Sequence, residues 1–293
     1  MKSKFLFPTW CAIVGYLLAI PGFILGYLYT INKYEIPGFG FKMRERNDLF
    51  QPSFENFTNE LAIFLVVGGL ILIAFSRNKE EDELSAKLRL NSLYWSIMIY
   101  YVLYIIGLLF SITIGEIPFI GEHASELNLF TPLVIFIIRY NYLMHVNKES
   151  YLMSQPKFLP NSPYRKIGIF LSLISLVVFI LVTVIKTKDL SDTFSSSAYL
   201  GLVIGFMLWT FSRNRIEDEM VMQQRLENLQ LAVYFNYSVL LLATILFYSL
   251  NFLLVLLFAQ ISLLLFFIIR MEFIKYKNNK LLNTFEGGMS YEK

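Results

Sequence analysis

Apolar residues in this chain come in long runs separated by short polar stretches. The runs fall at 5–30, 60–75, 92–114, 128–146, 166–187, 197–211, 230–249 and 251–270. A helix needs roughly 20 apolar residues to cross a bilayer core about 30 Å thick, and most of these runs approach that length. The second and sixth are the short ones. Only Ser249-Leu250-Asn251-Phe252 separates the last two, the tight connection of a helical hairpin. The pattern predicts an all-α membrane protein with eight transmembrane helices.

The polar stretches between the runs repeat. Phe75-Ser-Arg-Asn-Lys-Glu-Glu-Asp-Glu83 returns 136 residues later as Phe211-Ser-Arg-Asn-Arg-Ile-Glu-Asp-Glu219. Arg89-Leu90 and Leu93 return as Arg225-Leu226 and Leu229, so 10 of 19 positions agree, most of them polar. Gly69 and Tyr101 recur as Gly205 and Tyr237, and Phe136-Ile-Ile-Arg139 recurs as Phe267-Ile-Ile-Arg270. Each half then reads as two spans, a polar cytoplasmic helix and two further spans. An even number of spans gives both halves one orientation, as in parallel-repeat transporters. The expected organisation is a first four-helix repeat over 1–149, a Pro-rich cytoplasmic linker over 150–164, a second repeat over 165–275 and a polar tail over 276–293. Two small-residue pairs, Gly22 with Gly26 and Gly201 with Gly205, suit close helix contacts, which in lipid depend on tight packing.

Charge sets the orientation. Basic residues are enriched in cytoplasmic connections, and with the N-terminus inside, 19 Lys and Arg lie on the inner side against 6 outside. Both termini and both motifs are therefore expected in the cytoplasm. The apolar run after Lys2 and Lys4 is too long for a signal core and reads as a retained span. Composition agrees with all of this. The 293 residues are 56% hydrophobic, 17% aromatic and only 16% charged, where soluble domains carry about 25% charge.

Read locally, each motif starts a helix. Asn78 and Asn214 suit N-caps, with Glu81 and Glu217 three residues on, the spacing of a capping box. The acids Glu81, Asp82 and Glu83, with Glu217, Asp218 and Glu219, then sit where the helix dipole favours negative charge. Glu83 with Lys87, Asp82 with Arg89, and Asp218 with Arg225 share helical faces. A helix start does not demand two such similar copies. Two sharper readings are that polar residues of the two motifs interact, for instance Arg77 with the acids of the other motif, or that the motifs, Arg213 among them, dock a partner or ligand. In a third, six acids hold a divalent cation, since carboxylates suit hard ions.

The spans carry no Asp, Glu, Lys or Arg at mid-membrane, which argues against an ion-coupled pump. Their best polar candidates are Tyr101, Asn236, Tyr237 and Gln260. Tyr100, Tyr104 and Tyr234 are expected, with Tyr101 and Tyr237, as interfacial belt anchors. Cys11 stands alone, His123 and His145 are isolated, and no nucleophile, zinc or phosphate-loop motif occurs. No cofactor or nucleic-acid partner is expected, and outside that third reading no metal.

The Phe-Ser-Arg, Glu-Asp-Glu and Arg-Leu pattern followed by an aromatic span resembles one found in uncharacterised bacterial multi-pass membrane proteins, including shorter ones with a single copy. That resemblance implies a bacterial inner membrane and no assigned activity. The leading expectation is a non-enzymatic scaffold, sensor or accessory subunit. It would work among membrane lipids with a cytosolic or membrane protein partner. A transporter of a small neutral or lipid-like molecule is the alternative, and a lipid-modifying enzyme the third.

Overall fold

A computed structural model describes residues 5–42, 54–79, 81–115, 123–145, 156–185, 191–214, 219–246 and 250–289. They form eight helices: α1 (Cys11–Asn32), α2 (Thr58–Ala74), α3 (Glu83–Thr113), α4 (Ala124–His145), α5 (Tyr164–Ile185), α6 (Ser191–Phe211), α7 (Glu219–Leu246) and α8 (Leu250–Met289). All but α2 are long and apolar enough to cross a membrane. A two-stranded antiparallel hairpin, β1 (Gly40–Lys42) with β2 (Phe54–Asn56), lies in the connection from α1 to α2, where the run pattern gave no strand.

Four helices differ from their sequence reading. Among the described residues no separate polar helix precedes the third or seventh span. The polar turns continue into the apolar stretch as one helix of 31 residues in α3 and 28 in α7. Neither glycine nor proline interrupts α3 before Gly107, or α7 anywhere, so nothing breaks the backbone hydrogen bonding. The sixth element is not short. Helix α6 begins at Ser191, and Ser-Asp-Thr-Phe-Ser-Ser-Ser, which hydropathy discounts, forms its first turns. The residues expected as a tail continue α8 to Met289, because no helix breaker precedes Gly287 and Gly288.

Among the described residues, two helix pairs pack extensively, α1 along α2 and α5 along α6. Both are entered alike. Phe7 donates to the Phe75 carbonyl (2.9 Å) and accepts from the Arg77 amide (2.9 Å). Leu159 does the same with Phe211 (2.9 Å) and Arg213 (2.8 Å). Each of these bridging residues is followed by proline, Pro8 or Pro160. Within the stretch expected as a linker, residues 156–163 lie against the second motif through Leu159, while 146–155 lies outside the described residues.

Small residues set the contact in both hairpins. A Cβ on Gly69 would come within 2.6 Å of the Ala19 amide nitrogen, and one on Gly205 within 2.6 Å of the Ser172 nitrogen. Gly201, the other member of its expected pair, lies against Ser175. The α1 seam is formed by Gly15, Ala19 and Gly22. Gly26, the expected partner of Gly22, has ordinary room beside Ala62 (3.8 Å). The register is physical: residues 15, 19 and 22 share one helical face.

The chain packs as two compact units, and each takes residues from both sequence halves. One comprises Met1–Ser92, Glu122–Ser154 and Tyr237–Gln260. The other comprises Leu93–Gly121, Gln155–Asn236 and Ile261–Lys293. In the first, Val67, Phe75, Leu88, Leu133 and Phe136 form the buried centre, and Phe75 stacks on Phe136 at 5.4 Å. In the second, Leu202, Val203, Val233, Leu263 and Leu264 are buried, and Tyr94 packs edge-on against Phe158 and Phe211.

Candidate functional site

The first motif closes around a buried arginine. Arg89 is 2% exposed, and its Nη2 donates to Glu81 (3.2 Å) and to the Tyr140 hydroxyl (3.0 Å). The guanidinium also lies over the Tyr140 ring, 5.0 Å from its centroid, close enough for a cation–π attraction. Asn78 donates its side-chain amide to the same hydroxyl (2.7 Å), and its backbone N–H to Glu81 (3.1 Å). One carboxylate and one phenol thus hold the motif loop, α3 and α4 together. The lock is incomplete, because Nε and Nη1 of Arg89 have no hydrogen-bond partner among the described residues. Unmade bonds of this kind are a cost that the pair must offset.

This arrangement corrects two expectations. The cap of α3 is Asp82, not Asn78. Its carboxylate accepts from the Ser85 N–H (2.7 Å), and the Ser85 hydroxyl accepts from the Asp82 N–H (3.0 Å), a reciprocal box of the usual kind. The acid facing Arg89 is Glu81 rather than Asp82. Helical spacing does not extend back past Glu83, so the seven-residue count from Asp82 carries no face with it. The Glu83–Lys87 pair does form, at 3.2 Å, and is exposed.

The second motif uses other partners. Arg225, 4% exposed, donates to the Ser212 carbonyl (2.8 Å) and lies over the Phe158 ring at 4.7 Å. Asn214 accepts from Arg165 at the start of α5, and Arg165 also pairs with Glu272 of α8. Trp209 donates its indole N–H to the same carboxylate (3.3 Å). One turn away, Asn228 accepts from Arg270 (2.8 Å) and contacts the Met271 sulfur (3.4 Å). Among these groups is a cavity with room for about one water, into which Thr210 faces. Glu217 and Asp218 lie outside the described residues, as does the side chain of Glu219 at the start of α7.

Arg77 and Arg213 are exposed, and their backbone amides make the bridges described above. Sequence reasoning missed Tyr140, Phe158, Trp209, Arg165 and Glu272. A signal was available for two of them. Tyr140 follows the repeated Phe-Ile-Ile-Arg directly, and Glu272 follows it by two residues. In the first copy the motif asparagine bonds α4 just beyond that tetrad, and in the second it reaches α8 there only through Arg165.

Four of the five tyrosines expected as belt anchors, Tyr100, Tyr101, Tyr104 and Tyr237, are buried, and Tyr234 is half-buried. Tyr237 donates to the Leu129 carbonyl (2.8 Å), and Tyr104 shares a hydrogen bond with Tyr199 (3.0 Å). Asn236 accepts from Ser262, and Gln260 is buried. Hydroxyls and amides inside the helical packing fasten helices to one another, as polar groups in a bilayer interior do. Among the described residues no three His, Cys, Asp or Glu gather as a metal site. In comparisons with protein families, curated proteins and solved structures, nothing matches this chain.

Proposed function

We propose that this chain is an integral protein of a bacterial inner membrane, built as two parallel four-helix repeats. It acts there as a scaffold or accessory subunit through its duplicated cytoplasmic motif. The repeat reading draws on the same bridge, the same following proline and the same small-residue seam in both hairpins. The functional reading rests on one observation. The motif charges divide into a buried set, Arg89 and Arg225, which fastens helices, and an exposed set, Arg77, Lys79 and Arg213, whose side chains have no partner among the described residues. Exposed charges on a fixed base steer encounter and specificity more than they stabilise a fold.

Replacing Arg77 and Arg213 together by alanine should leave the protein level in membranes unchanged. The same double change should remove the partner that cross-linking captures with the unmodified chain. Short spans in matching positions of two repeats would favour transport, and of the two runs α2 is short while α6 has 21 residues. Solute uptake into liposomes by the purified chain, with no cross-linked partner in membranes, would decide for transport instead.

Orientation has its own test. In a Cys11→Ser background, a cysteine at the exposed position of Lys87 should be shielded from an impermeant thiol reagent in intact cells. One at Glu35, exposed in the α1–α2 connection, should be labelled. The reverse pattern would invert the topology.

A further inference from the structure

We infer that the cytoplasmic ends of α5 and α8 form a binding surface for anionic phospholipid headgroups. The inference rests on the membrane reading above. Glu272 receives Arg165 and the Trp209 indole, with the Lys275 ammonium 3.9 Å from its other oxygen. Two cations share one carboxylate, so the cluster keeps a surplus positive charge in a fixed position. Lys166 and Lys277 beside it are exposed and have no partner among the described residues. The α5 and α8 groups lie in the terminal turns of the apolar spans Tyr164–Val182 and Val255–Asn278, the position that meets lipid phosphates when those helices cross a bilayer.

Apolar anchors stand at that same level. Phe273 is 65% and Tyr276 68% exposed, on α8 beyond Arg270. In water such rings would be a liability. At a headgroup boundary, aromatic side chains are at their preferred depth. Juxtamembrane basic clusters attract the anionic leaflet, each cation contributing about fivefold to binding near the surface. Phosphate is thus matched by lysine and arginine, and the glycerol and upper acyl region by the two rings. A soluble anion offers nothing for the rings to contact, which favours the lipid.

The test places the full chain in phosphatidylcholine nanodiscs with and without phosphatidylglycerol, and measures lipid retained on the extracted protein by mass spectrometry. The unmodified chain should enrich phosphatidylglycerol, less so as ionic strength rises. Lys166→Gln, Lys275→Gln and Lys277→Gln together should lower that enrichment by about tenfold or more. The corresponding three Lys→Arg changes should keep it, as should Lys87→Gln. Equal enrichment in the triple glutamine variant would overturn the site. So would absence of any salt dependence in the unmodified chain, a readout independent of whether the variant folds. Displacement of the lipid by inorganic phosphate alone would reassign the surface to free anions and likewise overturn the proposal. A chain that never enters phosphatidylcholine bilayers would sink the membrane reading itself, whereas entry without preference for phosphatidylglycerol removes the lipid site alone.

Discussion

Glu81→Gln should destabilise the protein by about 3–5 kcal/mol, the usual loss when one partner of a buried ion pair is removed. Arg89 is 2% exposed and Glu81 is its one described carboxylate, so the substitution strands a cation that water cannot reach. The side chain stays the same size and still offers an oxygen to the Asn78 amide, so the loss reports charge rather than packing. Arg89→Met added to Glu81→Gln should recover part of it, since replacing both partners of a buried pair is far milder than removing one. Thermal unfolding in detergent across the four chains gives the coupling directly. Additive effects would show that the pair is incidental. Asp82→Asn provides the contrast, because asparagine caps a helix as well as aspartate does and stability should hold.

Gly205→Ala should be the other severe change. The added carbon would meet the Ser172 nitrogen at 2.6 Å and its Cα and Cβ at 2.9 Å. Two of these three atoms are backbone, so no side chain can swing aside and α5 must move away from α6. Overpacking usually costs about 1–3 kcal/mol, and a backbone obstacle puts this case at the top of that range. Gly107→Ala and Gly68→Ala meet nothing within 4 Å. Each should be neutral or gain up to about 1 kcal/mol from helix propensity. A Gly205→Ala chain that unfolds with the unmodified one would remove the seam as the basis of the hairpin.

Hydropathy made the spans legible because burial in lipid demands length, and length survives in the sequence. It was poor at helix ends. The serines that open α6 and the lysines and asparagines in the last turns of α8 are compatible with a helix yet invisible to an apolar count. The repeat exposed the motif, but its function as a fastening depends on residues the motif does not contain. Tyr140 meets Arg89 from 51 positions away, and Glu272 meets Arg165 from 107. No local spacing rule reaches that far. Gly15 escaped notice for a related reason: its seam continues through an alanine, and a search for paired glycines alone passes over it. The tyrosines misled because an aromatic near a span end suits an interface and an interior equally, and only Leu129 and Tyr199, as neighbours, decide between them.

The two motifs share their lettering and differ in their fastenings. Tyr140 follows Arg139 in one copy, and Met271 follows Arg270 in the other. A phenol closes the first lock and an arginine borrowed from α5 the second. Duplicated parts that have each acquired a private clasp are no longer spares for one another. A substitution that loosens Tyr140 leaves Arg165 and Glu272 untouched, and the reverse holds as well. The chain therefore offers two separate adjusting screws under one repeated inscription, and natural variation can turn either without disturbing the other.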